Sequence, residues 1–155
     1  FSYAKSYNIK FSILRYHNIY GPRMGNEHVV PQFIARVINQ INPFPIYGGN
    51  ETRTFCYIDD AIDGTKLILE SDQSDGQIIH VGRDDEEIKI VDLAEKLFSI
   101  SGNNPSIDIK SAPSGSVMRR CPDINKLRNM GYGPKVNLVN GLTKTLKWYI
   151  GDNEL

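Results

Sequence analysis

Cysteine, net charge and long apolar runs are what this 155-residue sequence has least of. Its two cysteines, Cys56 and Cys121, lie far apart and form no CxxC pair. That argues against a disulfide scaffold or a thiolate metal cluster and fits reduced thiols in a cytoplasmic protein. Eighteen Lys and Arg side chains are matched by eighteen Asp and Glu, so no net field recommends nucleic acid or an anionic membrane as a partner. No apolar run approaches the ~20 residues of a membrane-spanning helix, and the N-terminus lacks the charged-then-apolar pattern of a secretory signal. Internal repeats and low-complexity tracts are absent as well. What remains is a length suited to one domain with a real core, or to part of a larger one.

The most informative stretch runs from Thr52 to Asp60, a strand expected to pass straight into a helix. Strand alternation puts Arg53, Phe55 and Tyr57 on one face. A guanidinium fork beside aromatic rings suits a nucleotide diphosphate; it suits a surface arginine in a salt bridge equally well. Upstream, Lys10 to Tyr16 is a largely apolar run of the kind buried on both faces in a parallel sheet. His17 to Arg23 leaves its carboxyl end, where open α/β sheets bind ligands. Asn18 is therefore either a ligand residue or a turn asparagine bonding its own backbone. Val30, Phe33, Ile34, Val37, Ile38 and Ile41 recur at helical spacing, with Pro31 in the first turn. The free amides of that helix are expected to face the Asn18 loop. His28, just ahead of it, is a ligand contact or a solvated loop histidine.

Two prolines confine Asn42–Asn50 to an edge-type strand that ends in a Gly48-Gly49 turn. The Arg53 strand is expected to pair with it or lie close by, bringing Tyr47 and Phe55 around one ligand. Asp59 or Asp60 is expected to cap the next helix. Ile78–Val81 reads as a buried strand with His80 as a core residue, and Ile90–Ser101 as a helix stopped by Gly102. A half-exposed strand over Ile107–Lys110 precedes a loop holding Arg119 and Arg120, a second diphosphate clamp or a solvated corner. Two helices, Asp123–Met130 and Leu138–Tyr149, complete the chain. The order is that of an α/β protein with a mixed sheet region.

Taken in sequence, the segments LRYHNIYGPR (14–23), HVVPQFI (28–34), PFPIYGG (43–49), ETRTFCYIDDA (51–61), IIHVGR (78–83), RRCPDINKLRNMGY (119–132) and NGLTKTLKWY (140–149) resemble one family over nearly the whole chain. It is the extended short-chain dehydrogenase/reductase family, the NAD-dependent nucleotide-sugar epimerases, dehydratases and decarboxylases, and the match is to its carboxyl-terminal half. The resemblance implies the end of a Rossmann-type sheet over 1–27 and 52–83, and most of a small substrate-binding α/β subdomain over 28–51 and 84–155. Tyr16 and His17 would lie near the nicotinamide end of NAD, with Asn18 on the substrate diphosphate. His28 and Val29 would line the nucleotide site, and Pro45 and Tyr47 would flank base and ribose. Arg53 would grip the diphosphate with Phe55 beside it, and Arg120, or alternatively Arg119, would close on the phosphates. The implied partner is a nucleoside-diphosphate sugar, and the full-length protein is expected to be a homodimer.

Two departures qualify the match. Where many epimerases carry Arg-x-Gly-Asp, this chain has Pro113-Ser114-Gly115-Ser116, so that contact is absent or replaced by Arg119 or Arg120. The Gly-rich turn for the NAD pyrophosphate and the catalytic Tyr-x-x-x-Lys pair are not found, since Tyr7 reaches Lys10 only as Tyr-x-x-Lys. The resemblance thus places Phe1 at a break inside the helix after the catalytic lysine, and expects no catalytic residue in this chain. Transient oxidation of the sugar by NAD is the implied chemistry of a complete member. The Gly-Pro-Arg after Ile-Tyr and the Arg-x-Pro-Asp-Ile segment lean toward dehydratases and decarboxylases, and the Arg-Tyr-x-Asn start toward epimerases. A non-catalytic nucleotide-sugar-binding or interaction module is the alternative from another class.

Overall fold

The apolar run near the N-terminus becomes β1 (Ser12–Tyr16), and its parallel neighbour is β6 (Gln77–Val81), in register from Ser12 opposite Gln77 to Tyr16 opposite Val81. Between them the chain crosses over through α3 (Ile58–Glu70), which packs on both strands. This computed structural model describes residues 1–151; the last four positions of the expected 84–155 segment lie outside the described residues. A short helix, α1 (Ser2–Tyr7), precedes β1 and buries none of its side chains. The expectation that β1 is buried on both faces does not hold: Ile13, Arg15 and Tyr16 are exposed. Among the described residues β1 has a strand on one side only, whereas Ile79 and Val81 of β6 are fully buried.

The Thr52–Asp60 stretch is not one strand. β4 (Thr52–Arg53) and β5 (Cys56–Tyr57) are separated by a break at Thr54 and Phe55 and join different sheets. β5 runs parallel to β2 (Ile19–Tyr20), a short strand inside the segment expected to be loop. β4 lies between antiparallel β7 (Ile88–Lys89) and parallel β9 (Arg119–Arg120). The pairing expected between β4 and the Pro-rich strand is also absent, because β3 (Phe44–Tyr47) pairs with β8 (Ile107–Lys110) instead.

The cause is the turn between them. Gly48 and Gly49 adopt φ of 91° and 126°, and the Glu51 carboxylate accepts from the Gly49 amide at 2.8 Å. A side chain on Gly48 would run into that carboxylate. The carbonyls of Gly49 and Glu51 receive Val91 N–H (3.1 Å) and Ile90 N–H (3.0 Å), so the turn seats the start of α4 (Ile90–Ser101). Gly102, at φ 74°, ends that helix as expected.

Two cores result. The larger joins α2 (Val29–Ile38), α4 and α6 (Leu138–Ile150) around β3, with Phe33, Ile34, Phe44, Leu93 and Leu142 among its buried members. The smaller gathers Cys56, Ala61, Ile68, Ile79 and Val81, together with Leu127 of α5 (Asn125–Asn129) and Tyr132. Full burial of each large aliphatic or aromatic side chain contributes about 1.5–3 kcal/mol. In the smaller core, burial pushes the Cys56 thiol up to about 11, which leaves it an inert apolar group.

Neither Asp59 nor Asp60 caps α3. Tyr57 holds the capping position, and the two aspartates sit in the first turn, where the helix dipole favours them. Asp60 is 2% exposed and accepts from Lys135 N–H (2.9 Å) and Val136 N–H (3.0 Å), tying the approach to α6 onto α3. Asp60→Ala orphans both amides at about 1–3 kcal/mol each. We expect a loss of about 3 kcal/mol in urea denaturation, with Asp60→Asn losing less because it keeps one acceptor.

Candidate functional site

A cleft of about 290 Å³ opens where the Asn18 loop, the start of α2, the end of β3 and the β4–β9 edge converge. It gathers Asn18, His28, Val29, Tyr47, Arg53, Phe55 and Arg120 of the residues expected to bind ligand. Asn18 occupies φ 44°, a left-handed conformation that asparagine tolerates. Its side-chain amide donates to the Thr54 carbonyl at 2.8 Å, and its own carbonyl accepts from Cys56 N–H at 3.2 Å. The turn role and the place in the cleft wall therefore coexist.

Arg53 donates to the carbonyls of Thr52 (2.7 Å) and Met118 (3.3 Å) and pairs with no carboxylate among the described residues. Arg120 is its register partner across β4–β9, and both line the cleft. Burial first, and then the Arg120 charge, hold the Arg53 guanidinium below its ordinary pKa. Two cations facing each other, with Glu51 near but no ion pair to either among the described residues, form a site that an anion with paired oxygens would relieve. The start of α2 adds to this field. His28 stands at the N-cap without a side-chain cap, and the first intrahelical bond is Gln32 N–H to His28 at 3.1 Å. The amides of the first turn beside the cleft are the helix's positive end.

Phe55 forms the apolar floor, 5% exposed and edge-on to Tyr20 at 6.3 Å. Tyr57 joins Phe55 in the larger core as the alternation predicts, edge-on to Tyr20 at 5.6 Å, but it does not line the cleft. Tyr47 is exposed at the opposite rim, with the Arg36 guanidinium 6.0 Å from its ring centre.

The remaining expected residues stand outside the cleft walls. Arg119 forks onto Glu87, with Nε at 2.9 and 3.0 Å and a terminal nitrogen at 2.8 Å from the carboxylate oxygens. Adjacent strand residues face opposite sides, so Arg119 is committed to Glu87 while Arg120 turns into the cleft. Pro45 is half-buried and gives its carbonyl to Arg36 at 2.9 Å. Tyr16 and His17 lie at the end of β1. The Tyr16 hydroxyl bonds Thr65 at 2.9 Å, and His17 stacks on His80 with ring centres 4.6 Å apart. His17 Nε2 and His80 Nδ1 are buried with no hydrogen-bond partner.

Several cleft residues escaped the sequence reading, notably Met24, Glu27, Glu51 and Ile90. For Glu51 a signal existed, since a carboxylate two residues after Gly48-Gly49 is well placed to accept a turn amide. The others reach the cleft only through tertiary packing.

A profile of the NAD dependent epimerase/dehydratase family matches residues 1–82. The chain belongs to this family. Among curated members it is 36% identical over 147 residues to UDP-glucuronic acid decarboxylase 5 of Arabidopsis thaliana, covering 92% of this chain and 42% of that protein. The fold superposes on UDP-glucuronic acid 4-epimerase of Bacillus cereus, solved with UDP-glucuronic acid and NAD, at a TM-score of 0.88 and 31% identity. That match covers 97% of this chain and 48% of the epimerase. The dTDP-glucose 4,6-dehydratase of Streptomyces venezuelae superposes at 0.85 with 28% identity, covering 97% and 47%. The chain thus spans about half the length of the epimerase/dehydratase relatives it matches, and its α/β architecture with parallel strands is theirs.

Within this family member, burial above all, then His80 and Arg15, lowers the His17 pKa below 6.5. The unfolded chain therefore takes up more protons than the folded one as pH falls below 6.5, and stability declines there. His17→Phe is expected to flatten that acid-side decline in urea midpoints measured between about pH 7.5 and pH 5.

Proposed function

We propose that this chain is the nucleotide-sugar-gripping portion of an NAD-dependent NDP-sugar epimerase or dehydratase. One observation carries the proposal: Arg53 and Arg120 face one cleft and, among the described residues, pair with no carboxylate, beside Asn18 and the start of α2. A diphosphate supplies paired anionic oxygens at the spacing such guanidiniums recognise. In this reading Arg53 and Arg120 hold the diphosphate, and Asn18, kept rigid by Thr54, adds a polar contact. His28 and Val29 line the nucleotide site, Tyr47 and Pro45 flank base and ribose, and Phe55 excludes water beneath. Arg119 serves by its hold on Glu87 rather than by touching the ligand.

Tyr16 and His17 are the residues offered to NAD. The orphaned His17 Nε2 fits that role, since a buried polar atom lacking a partner is what an incoming polar group would satisfy. When bound, NAD supplies a hydride acceptor that oxidises the sugar transiently and returns the hydride. This chain's residues position the sugar for that exchange and contribute no proton-transfer group to it. The full-length protein is read as a cytoplasmic homodimer. A decarboxylase outcome is the second reading, favoured by the 36% identity to a UDP-glucuronic acid decarboxylase; a non-catalytic binding module is the alternative from another class.

Titration calorimetry with UDP and with dTDP tests the grip. Charge-assisted hydrogen bonds are worth about 1.5–3 kcal/mol each, so Arg53→Ala is expected to weaken diphosphate binding by about tenfold or more. Unchanged affinity would make Arg53 structural. A second measurement addresses catalysis: incubated with NAD and a UDP-sugar, the 155-residue chain is expected to give no epimerised, dehydrated or decarboxylated product by NMR, and turnover would place proton-transfer groups within it.

A further inference from the structure

Arg53 and Arg120 form a register pair of like charges, an arrangement that disfavours strand association. The strand carrying Arg120 is two residues long, and the whole segment 111–120 is exposed. Beside the ladder itself, β9 is tied to β4 by Thr52 N–H to Met118 at 2.8 Å and Thr54 N–H to Arg120 at 3.2 Å. The Arg53 guanidinium adds a bond to the Met118 carbonyl at 3.3 Å, and one further side chain reaches across the same pairing.

We propose that Glu87 is a positioning residue for the diphosphate grip: by clasping Arg119 and Thr52 at once, it fastens β9 to β4 and keeps Arg120 beside Arg53. The inference rests on the reading of the cleft given above. Glu87 directly precedes β7, on the far side of β4 from β9. One carboxylate oxygen accepts from the Thr52 hydroxyl, and both accept from the Arg119 fork. A single side chain thus bridges all three strands of this small sheet. Alternation puts Thr52 and Arg119 on one face, and Arg53 and Arg120 on the other. Glu87 therefore acts on the ligand only through β9.

The charge arithmetic agrees with this division. Glu87 neutralises Arg119, the cation turned away from the cleft, and leaves both cleft guanidiniums free. Hydrogen bonding from Arg119, then from Thr52, holds the Glu87 carboxyl below its usual range, so the clasp stays ionised at neutral pH.

A double-mutant cycle read by UDP calorimetry tests the role. Glu87→Ala and Arg120→Ala are each expected to weaken UDP binding about tenfold, and the double variant no more than Arg120→Ala alone. Glu87→Gln, which keeps an acceptor for Thr52, should recover part of the loss. Without ligand, Glu87→Ala should speed hydrogen exchange at the Thr52 and Thr54 amides while the β1–β6 amides keep their protection. Full UDP affinity in Glu87→Ala, or an equal further loss in the Arg120→Ala background, overturns the positioning role alone. A wild-type chain that binds neither UDP nor dTDP overturns the cleft reading and the positioning role together.

Discussion

The hydrogen bonds between Asn18 and the break at Thr54–Cys56 hold the structure in one piece. Asn18 gives its side-chain amide to the Thr54 carbonyl and receives the Cys56 amide on its own carbonyl. This exchange closes the end of β1 onto the start of β5, and both cores meet there. Phe55 and Tyr57 belong to the larger core and Cys56 to the smaller one. Three consecutive residues therefore feed two separate packing units, and the cleft lies on the larger-core side, with Phe55, Val30 and Ile90 in its wall. Without the Asn18 contacts, the carbonyl of a fully buried threonine would lose its partner.

Charge is distributed around these units in a consistent way. On the α3 side, carboxylates are matched: Asp60 by two backbone amides, and Asp85 and Glu86 by the buried Arg83 at 2.5 and 3.0 Å. Arg128 takes Asp84, and Arg119 takes Glu87. Among the described residues Arg53 and Arg120 form no ion pair, although Glu27 and Glu51 line the same cleft. The character of the cleft therefore comes from how the two guanidiniums are placed and not from a local excess of one sign.

Membership of the NAD dependent epimerase/dehydratase family places this cleft in context. The relatives include a decarboxylase, an epimerase and a dehydratase, and the chain spans about half of each. Shared geometry across different reactions suits a portion that holds a common substrate class, since gripping a nucleotide diphosphate does not depend on the fate of the sugar.

Local chemistry was legible from the residues themselves. Helical periodicity located α2, α4 and α6, and Gly102 the stop of α4, because an amphipathic stripe and a glycine at positive φ are properties of the local chain. Motif order identified the family and, through it, Asn18, Tyr47, Arg53 and Arg120 as cleft residues. The sequence could not decide which of two adjacent arginines faces the cleft, or that the Thr52–Asp60 stretch breaks in two. Nor could it show that Asp60 serves a distant loop, or that β3 leaves β4 for β8. Each of these turns on a partner distant along the chain: Glu87 for Arg119, Asn18 for Thr54, Lys135 and Val136 for Asp60. Periodicity fixes what a segment is from its own residues, but the direction a side chain takes is set by the groups that packing brings to it, and only the tertiary structure supplies those.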